Sequence, residues 1–169
     1  DFLSKDIKTE RISIEDEPFI KAEKAAKNKN ELLLKIKGKK SVESLHRDLG
    51  KIMWDNCGMS RNEKNLKNAL TQIKDLKNDF WSNVFVPGSD NELNPELEKA
   101  GRVADFIELG ELMIYDALDR EESCGGHFRE EHQTKEGEAL RDDENYTFVS
   151  AWEFKGEDKE PELHKEDLN

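Results

Sequence analysis

The sequence predicts a mainly α fold: a three- to four-helix antiparallel bundle closed by a C-terminal β-hairpin-like tail. Three observations carry this. Between residues 15 and 129 apolar side chains recur at helical spacing, with start and stop signals around each run. After residue 130 that period is lost, and Thr147, Val149, Trp152 and Phe154 introduce a strand-like run. Hydrophobic residues are 34% and charged residues 39%, which suits a small bundle with solvated outer faces better than a large α/β enzyme.

The chain divides into an extended lead-in over residues 1–14, a helical bundle over 15–129, and an irregular acidic segment with its tail over 130–169. Ile7, Ile12 and Ile14 mark the lead-in. Glu15-Asp16-Glu17-Pro18 opens the first helix, because proline fits a first turn and acids there complement the helix dipole. Phe19, Ala22, Ala26, Leu33 and Ile36 form its stripe up to Gly38. Ser41 caps the second helix, whose stripe is Leu45, Leu49, Ile52 and Met53, and Asn56-Cys57-Gly58 ends it. Met53 and Trp54 read as core.

Asn62 starts the third helix, striped by Leu66, Leu70, Ile73, Leu76, Phe80 and Val84, and Pro87-Gly88-Ser89-Asp90 breaks it. Trp81 reads as a cover on the bundle end. Asn94-Pro95-Glu96 opens the fourth helix, the most apolar one. Its stripe is wide, which implies more than one neighbour. Gly101 and Gly110 each cost about 1 kcal/mol in a helix interior, so both point to close approach of another helix. Gly125-Gly126 reads as the stop of this long segment, since glycine tolerates positive φ. In the tail, Trp152 reads as an anchor onto the helices, and Gly156 to Glu160 turns the chain toward Leu163 and Leu168.

Charge is uneven. Residues 1–115 hold 20 basic and 21 acidic side chains, and residues 116–169 hold 7 and 18, within a total of −12. An acidic final third argues against a nucleic-acid partner, which requires a basic face. Cys57 and Cys124 are too few for a disulfide scaffold and read as thiols of a reducing compartment. No run approaches 18 apolar residues, so no direct membrane insertion is expected, and no signal peptide is visible. The start at Asp1-Phe2-Leu3 reads as the excised C-terminal piece of a longer polypeptide.

The densest chemistry lies in Ser123, Cys124, Gly125, Gly126, His127 and Arg129, with His46 and Arg47 as a second group on helix two. An imidazole and a guanidinium two residues apart after a glycine turn are suited to clamping carboxylates or to bracing a neighbouring domain. Bracing is the reading taken here. It predicts that losing His127 or Arg129 leaves this domain's own melting unchanged. Cys124-x-x-His127 with His132 and Cys57 supplies one short ligand pair where structural zinc normally uses two. No Gly-x-Gly-x-x-Gly turn is present, so no metal, cofactor-binding or catalytic residue is assigned.

The run Arg120-Glu121-Glu122-Ser123-Cys124-Gly125-Gly126-His127-Phe128-Arg129 resembles the Arg-x-Glu-Ser-Arg-Gly-Ala-His-x-Arg motif in the C-terminal helical domain of succinate dehydrogenase and fumarate reductase flavoprotein subunits. L-aspartate oxidase carries a related version. His46-Arg47-Asp48-Leu49-Gly50-Lys51-Ile52-Met53-Trp54 resembles that family's His-Arg-Glu-Leu-Gly-x-Ile-Met-Trp helix, and Gly58-Met59-Ser60-Arg61 its following turn. Arg141-Asp142-Asp143-Glu144 and Pro161 to Asp167 resemble its tail. Cys124 and Gly126 depart from the common Arg and Ala, which suggests a bacterial subgroup.

The resemblance implies a spectrin-repeat-like bundle without an active site. It implies FAD and dicarboxylate held by missing upstream flavin-binding and capping domains. It further implies an iron–sulfur subunit as partner and, through it, a membrane anchor at the cytoplasmic face of the inner membrane. The alternatives are the C-terminal domain of L-aspartate oxidase and a free-standing helical interaction module.

Overall fold

A computed structural model describes residues 13–156 and 159–168. The expected lead-in over 1–14 thus lies almost wholly outside the described residues. Four long helices follow: α1 (Glu17–Ile36), α2 (Val42–Cys57), α3 (Glu63–Asn83) and α4 (Pro95–Asp119). Two-residue strands lie between and after them: β1 (Lys40–Ser41), β2 (Ser60–Arg61), β3 (Val84–Phe85) and β4 (Phe128–Arg129). A one-turn α5 (Asp143–Tyr146) and the strands β5 (Phe148–Glu153) and β6 (Glu162–Asp167) complete the tail.

The starts fall where local chemistry put them. The side chains of Ser41, Asn62 and Asn94 accept from the backbone N–H of Ser44, Asn65 and Leu97, each satisfying a donor the helix cannot. The short strands fix the helix directions. β1 precedes α2 and pairs in parallel with β3, which follows α3. The start of α2 therefore lies beside the end of α3. β2 follows α2 and pairs in parallel with β4, beyond α4, so α4 ends where α2 ends. Gly38 N–H donates to Val84 O at 2.9 Å, which sets the end of α1 beside that of α3. The bundle is thus antiparallel between consecutive helices.

The core runs from Leu33 and Leu45 through Leu66, Ile73 and Phe80 to Ile107 and Ile114, all essentially sealed from solvent. Each such side chain contributes about 1.5–3 kcal/mol. The wide stripe of α4 is explained by its packing on α1, α2 and α3. Gly110 sits where a Cβ would press on Met53 Sδ at 3.3 Å and on Leu49 and Ile73 at 3.4 Å, a close approach as expected. Gly101 faces open space, so its reading as a packing glycine is wrong. Trp54 is also misread: it is 83% exposed, because the buried stripe of α2 passes through Val42, Leu45, Leu49 and Asn56. Only the last turns of α1 meet the bundle. Phe19, Ala22 and Ala26 are exposed, although they continue the stripe that ends in buried Leu33.

Trp81 is half-buried and meets Phe80 edge-on at 5.1 Å, as a cover on that end would. The β5–β6 hairpin is antiparallel, with Trp152 opposite Leu163. Trp152 Nε1 donates to Asp116 Oδ1 at 2.8 Å and its ring leans on Tyr115, which anchors the tail on α4. Among the described residues, no helix is long and apolar enough to cross a membrane.

Candidate functional site

The residues around Gly125 form a latch that joins three parts of the chain. Helix α4 does not run to the glycines. It ends at Asp119, with Arg120 as its cap, and the chain enters a tight hairpin five residues later. Cys124 and His127 exchange backbone hydrogen bonds of 2.9 and 3.0 Å around the two-residue loop Gly125-Gly126. Gly125 has φ +58°, the left-handed conformation that glycine adopts without a steric penalty. Below the loop, Ser123 Oγ accepts from Arg129 N–H at 2.8 Å and donates to Arg129 O at 3.2 Å. Ser123 is fully buried, and its own N–H donates to Leu140 O at 2.9 Å.

Arg129 is 2% exposed. Its Nη1 donates to Ala117 O at 2.8 Å and to Leu118 O at 3.3 Å, and its Nε reaches Glu131 Oε2 at 3.2 Å. The guanidinium thereby terminates α4, taking carbonyls that have no intrahelical donor and placing positive charge at the negative end of the dipole. These contacts argue against the expectation that Arg129 leaves this domain's stability untouched. Its partners are internal carbonyls, and burying a cation demands that it keep them.

His127 is half-buried. Arg61 Nη1 lies 2.9 Å from Nδ1, and Arg120 O lies 2.8 Å from Nε2. A guanidinium only donates and a carbonyl only accepts, so the ring is the neutral Nε2–H tautomer. Burial pulls its pKa down, the Arg120 carbonyl opposes that, and the charges of Arg61, Arg129 and Arg120 add to the depression. The folded state thus binds fewer protons than the unfolded one. The stability His127 contributes is complete above about pH 6.5 and is lost as pH falls through its lower folded value. His127→Gln offers one donor and one acceptor without titrating. The melting temperature of the wild type is expected to fall more steeply than that of this variant as pH drops below 6.5. Parallel curves would show that the imidazole does not report on the latch.

The partners of this cluster come from far along the chain. Arg61 Nε donates to Gly58 O at 2.8 Å, so the turn after α2 presents Arg61 to His127. Arg61 O accepts from Glu130 N–H at 2.8 Å. Ser60 Oγ and Asn62 Nδ2 donate to the two carboxylate oxygens of Glu130, at 2.7 and 2.9 Å. Glu131 Oε1 accepts from Glu63 N–H at 2.6 Å, at the start of α3. Burial raises the Glu131 pKa, but the backbone N–H groups of Glu63 and Glu131 and the Arg129 guanidinium outweigh it, so the carboxyl titrates below its usual range. Buried Glu122 accepts from Arg120 Nη1 at 2.6 Å and from Asp142 N–H at 2.9 Å, which ties the start of the tail to the latch. Arg61, Arg120, Glu122, Glu130 and Glu131 were not singled out from sequence as site residues.

The side chains of this cluster are engaged with one another and with nearby backbone. Three arginines near the loop have partners within the chain: Arg129 the end of α4, Arg61 His127, and Arg120 Glu122 with the carbonyls of Tyr146 and Phe148 at 3.3 and 3.2 Å. Both nitrogens of His127 are engaged, and Cys124 is its hairpin partner. Burial pushes the Cys57 thiol above its usual range, away from thiolate reactivity. The residues do not fit a flavin site either. The N-termini of α2, α3 and α4, where a phosphate would sit, are filled by their own capping side chains, and that of α1, which has no side-chain cap, opens on the acidic Asp16 and Glu17. His46 stacks on Phe106 at 5.8 Å and Arg47 pairs with Glu43 one turn away, both exposed. Among the described residues, no hydrogen bond or ion pair connects His46 or Arg47 to the latch.

The family described as fumarate reductase flavoprotein C-term matches residues 46–169, from His46 through the latch and tail. The chain belongs to this family. An uncharacterized FAD-dependent oxidoreductase of Methanocaldococcus jannaschii is 35% identical over 102 residues, covering 60% of this chain and 18% of the relative. A fumarate reductase flavoprotein subunit of Helicobacter pylori is 29% identical over 139 residues, covering 81% and 18%. The chain thus spans about a fifth of the length of the curated relatives it matches. Among solved structures, a quinol-fumarate reductase with menaquinol molecules superposes with a TM-score of 0.74 at 22% identity, over 91% of this chain and 26% of that one. Mycobacterium smegmatis Sdh1 in complex with UQ1 gives 0.73 at 23%, over 93% and 26%. At those identities the likeness shows the fold, and the family's bundle-plus-tail architecture is the one found here.

Proposed function

We propose that this chain is the C-terminal helical domain of a flavoprotein subunit that interconverts succinate and fumarate at FAD. Flavin and dicarboxylate are held by upstream domains of the same polypeptide. Electrons pass through an iron–sulfur subunit to or from a quinone, with the complex seated at the cytoplasmic face of the membrane. This domain braces the flavin domain and contributes to subunit docking. The observation that carries the reading is the latch within a family-matched chain. Its charged groups are consumed in holding α4, the α2–α3 turn and the tail together, while Cys124, Gly125 and Gly126 present a rigid, partly exposed edge. His46 and Arg47 offer a second exposed contact.

The test uses the full-length polypeptide beside this chain. The full subunit is expected to bind flavin and to reduce fumarate with a reduced dye. This chain, incubated with FAD, is expected to show neither flavin absorbance nor turnover. A yellow stoichiometric complex of this chain alone, or a full subunit that oxidises aspartate in place of succinate, would overturn the proposal.

A further inference from the structure

The first three turns of α1 are an unsatisfied element. Residues 17–28 are helical, yet every one of them is exposed. Phe19 is 48% and Ile20 52% exposed. Phe19, Ala22 and Ala26 lie in line with Leu33, which is fully buried in the bundle. One apolar stripe therefore has its C-terminal end packed and its N-terminal end bare. The i,i+4 pairs Glu17–Lys21 and Glu23–Lys27 support this segment, at about 0.3–0.5 kcal/mol each. A helix of about twelve residues without tertiary contacts is marginal in water, so the segment calls for a partner. A second, partly covered apolar strip lies where α1 leaves the bundle. Lys29 pairs with Asp105 of α4 at 2.7 Å, and Leu109, 52% exposed, and Phe106, 42% exposed with His46 of α2 stacked on its ring, follow at the next turn.

We infer that the N-terminal three turns of α1, together with the Phe106–Leu109 ridge of α4, are the seat of the polypeptide that precedes this chain in the full flavoprotein, through an apolar face of that upstream part. The inference rests on the proposed function above and names the surface that does the bracing. The occupant follows from what the chain leaves out. It spans 18% of its relatives and matches a family defined as their C-terminal part, so most of such a polypeptide enters through residues 1–12, directly ahead of α1. A covalently tethered partner acts at millimolar effective concentration, which a second copy in dilute solution does not reach.

Amide hydrogen exchange decides the matter. In this chain alone, the amides of residues 17–28 are expected to exchange far faster than those of α2 and α3. In the full flavoprotein they are expected to slow by at least about tenfold. Phe19→Asp with Ala22→Asp in the full flavoprotein should restore fast exchange in 17–28 while leaving α2 and α3 protected. Two results would overturn the inference: no slowing in the full flavoprotein, or slowing in this chain alone that grows with its concentration, the mark of a second copy. Flavin content and fumarate reduction are read separately. A full polypeptide without flavin would sink the functional reading, while the exchange pattern would still decide the docking face.

Discussion

Replacing Arg129 by alanine is expected to lower the unfolding free energy by about 3 kcal/mol, the scale for stripping partners from buried polar groups. For a domain of this size that corresponds to a melting temperature about 6–12 °C lower. The guanidinium is 2% exposed and donates to the Ala117 and Leu118 carbonyls and to Glu131. Without it, the end of a 25-residue helix faces the protein interior with unpaired carbonyls. Glu131 would keep its bond from Glu63 N–H and lose its charged partner. Arg129→Lys should recover only part of the loss, since an ammonium cannot reproduce the fork that reaches helix carbonyl and carboxylate at once. Arg47→Ala is the matched control. Its pair with Glu43 is fully solvated, with both side chains 77% exposed, and such pairs contribute about 0–1 kcal/mol. Urea or thermal unfolding separates the two. An Arg129→Ala chain that melts within about 1 °C of wild type would mean that the buried contacts of the guanidinium are not formed in solution.

Arg129 also shows where sequence reading stops. Ser41, Asn62 and Asn94-Pro95 announced their helices because capping is local chemistry, complete within four residues. Ser123, His127 and Arg129 stood out as a cluster because Gly125-Gly126 makes a turn there. The His127 partner Arg61, and Asn62 and Glu63, which bind the adjoining Glu130 and Glu131, lie more than sixty residues away, and the parallel pairing of β2 with β4 brings them alongside. Periodicity told which face of α1 is apolar. It carries no information on whether a neighbour covers that face, and Phe19, Ala22 and Ala26 turned out bare. Trp54 was misplaced for a related reason. Hydrophobicity suggested burial, but its position on α2 lies off the stripe of Leu45 and Leu49 and points to solvent. Gly101 and Gly110 look alike in sequence and differ only in what stands opposite them.

Gly38→Ala is expected to be as damaging as loss of Arg129, and through backbone rather than charge. An added Cβ would lie 1.9 Å from the carbonyl oxygen of Asn83, 2.0 Å from its carbon and 2.4 Å from its Cα. These are main-chain atoms at the end of α3, with no rotamer by which to retreat. The connection from α1 to α2 would have to lift away. That movement would strain Gly38 N–H to Val84 O and Lys39 N–H to Asn83 Oδ1, both 2.9 Å, and the pairing of Lys40 with Val84. Overpacking with a flexible neighbour costs about 1–3 kcal/mol, and a rigid one places this substitution at or above the upper end. Gly101→Ala is expected to move the other way. Nothing lies within 4 Å of its Cβ, and alanine is favoured over glycine inside a helix by about 1 kcal/mol. Gly110→Ala falls between, because the helix gain is set against contacts of 3.3–3.4 Å with side-chain ends that can yield. Measured melts should therefore rank Gly101→Ala above wild type and Gly38→Ala far below it. A Gly38→Ala chain that unfolds with the wild type would mean that β1 and β3 do not meet in solution. The antiparallel seating of α1 on the bundle, which rests on that contact, would fall with it.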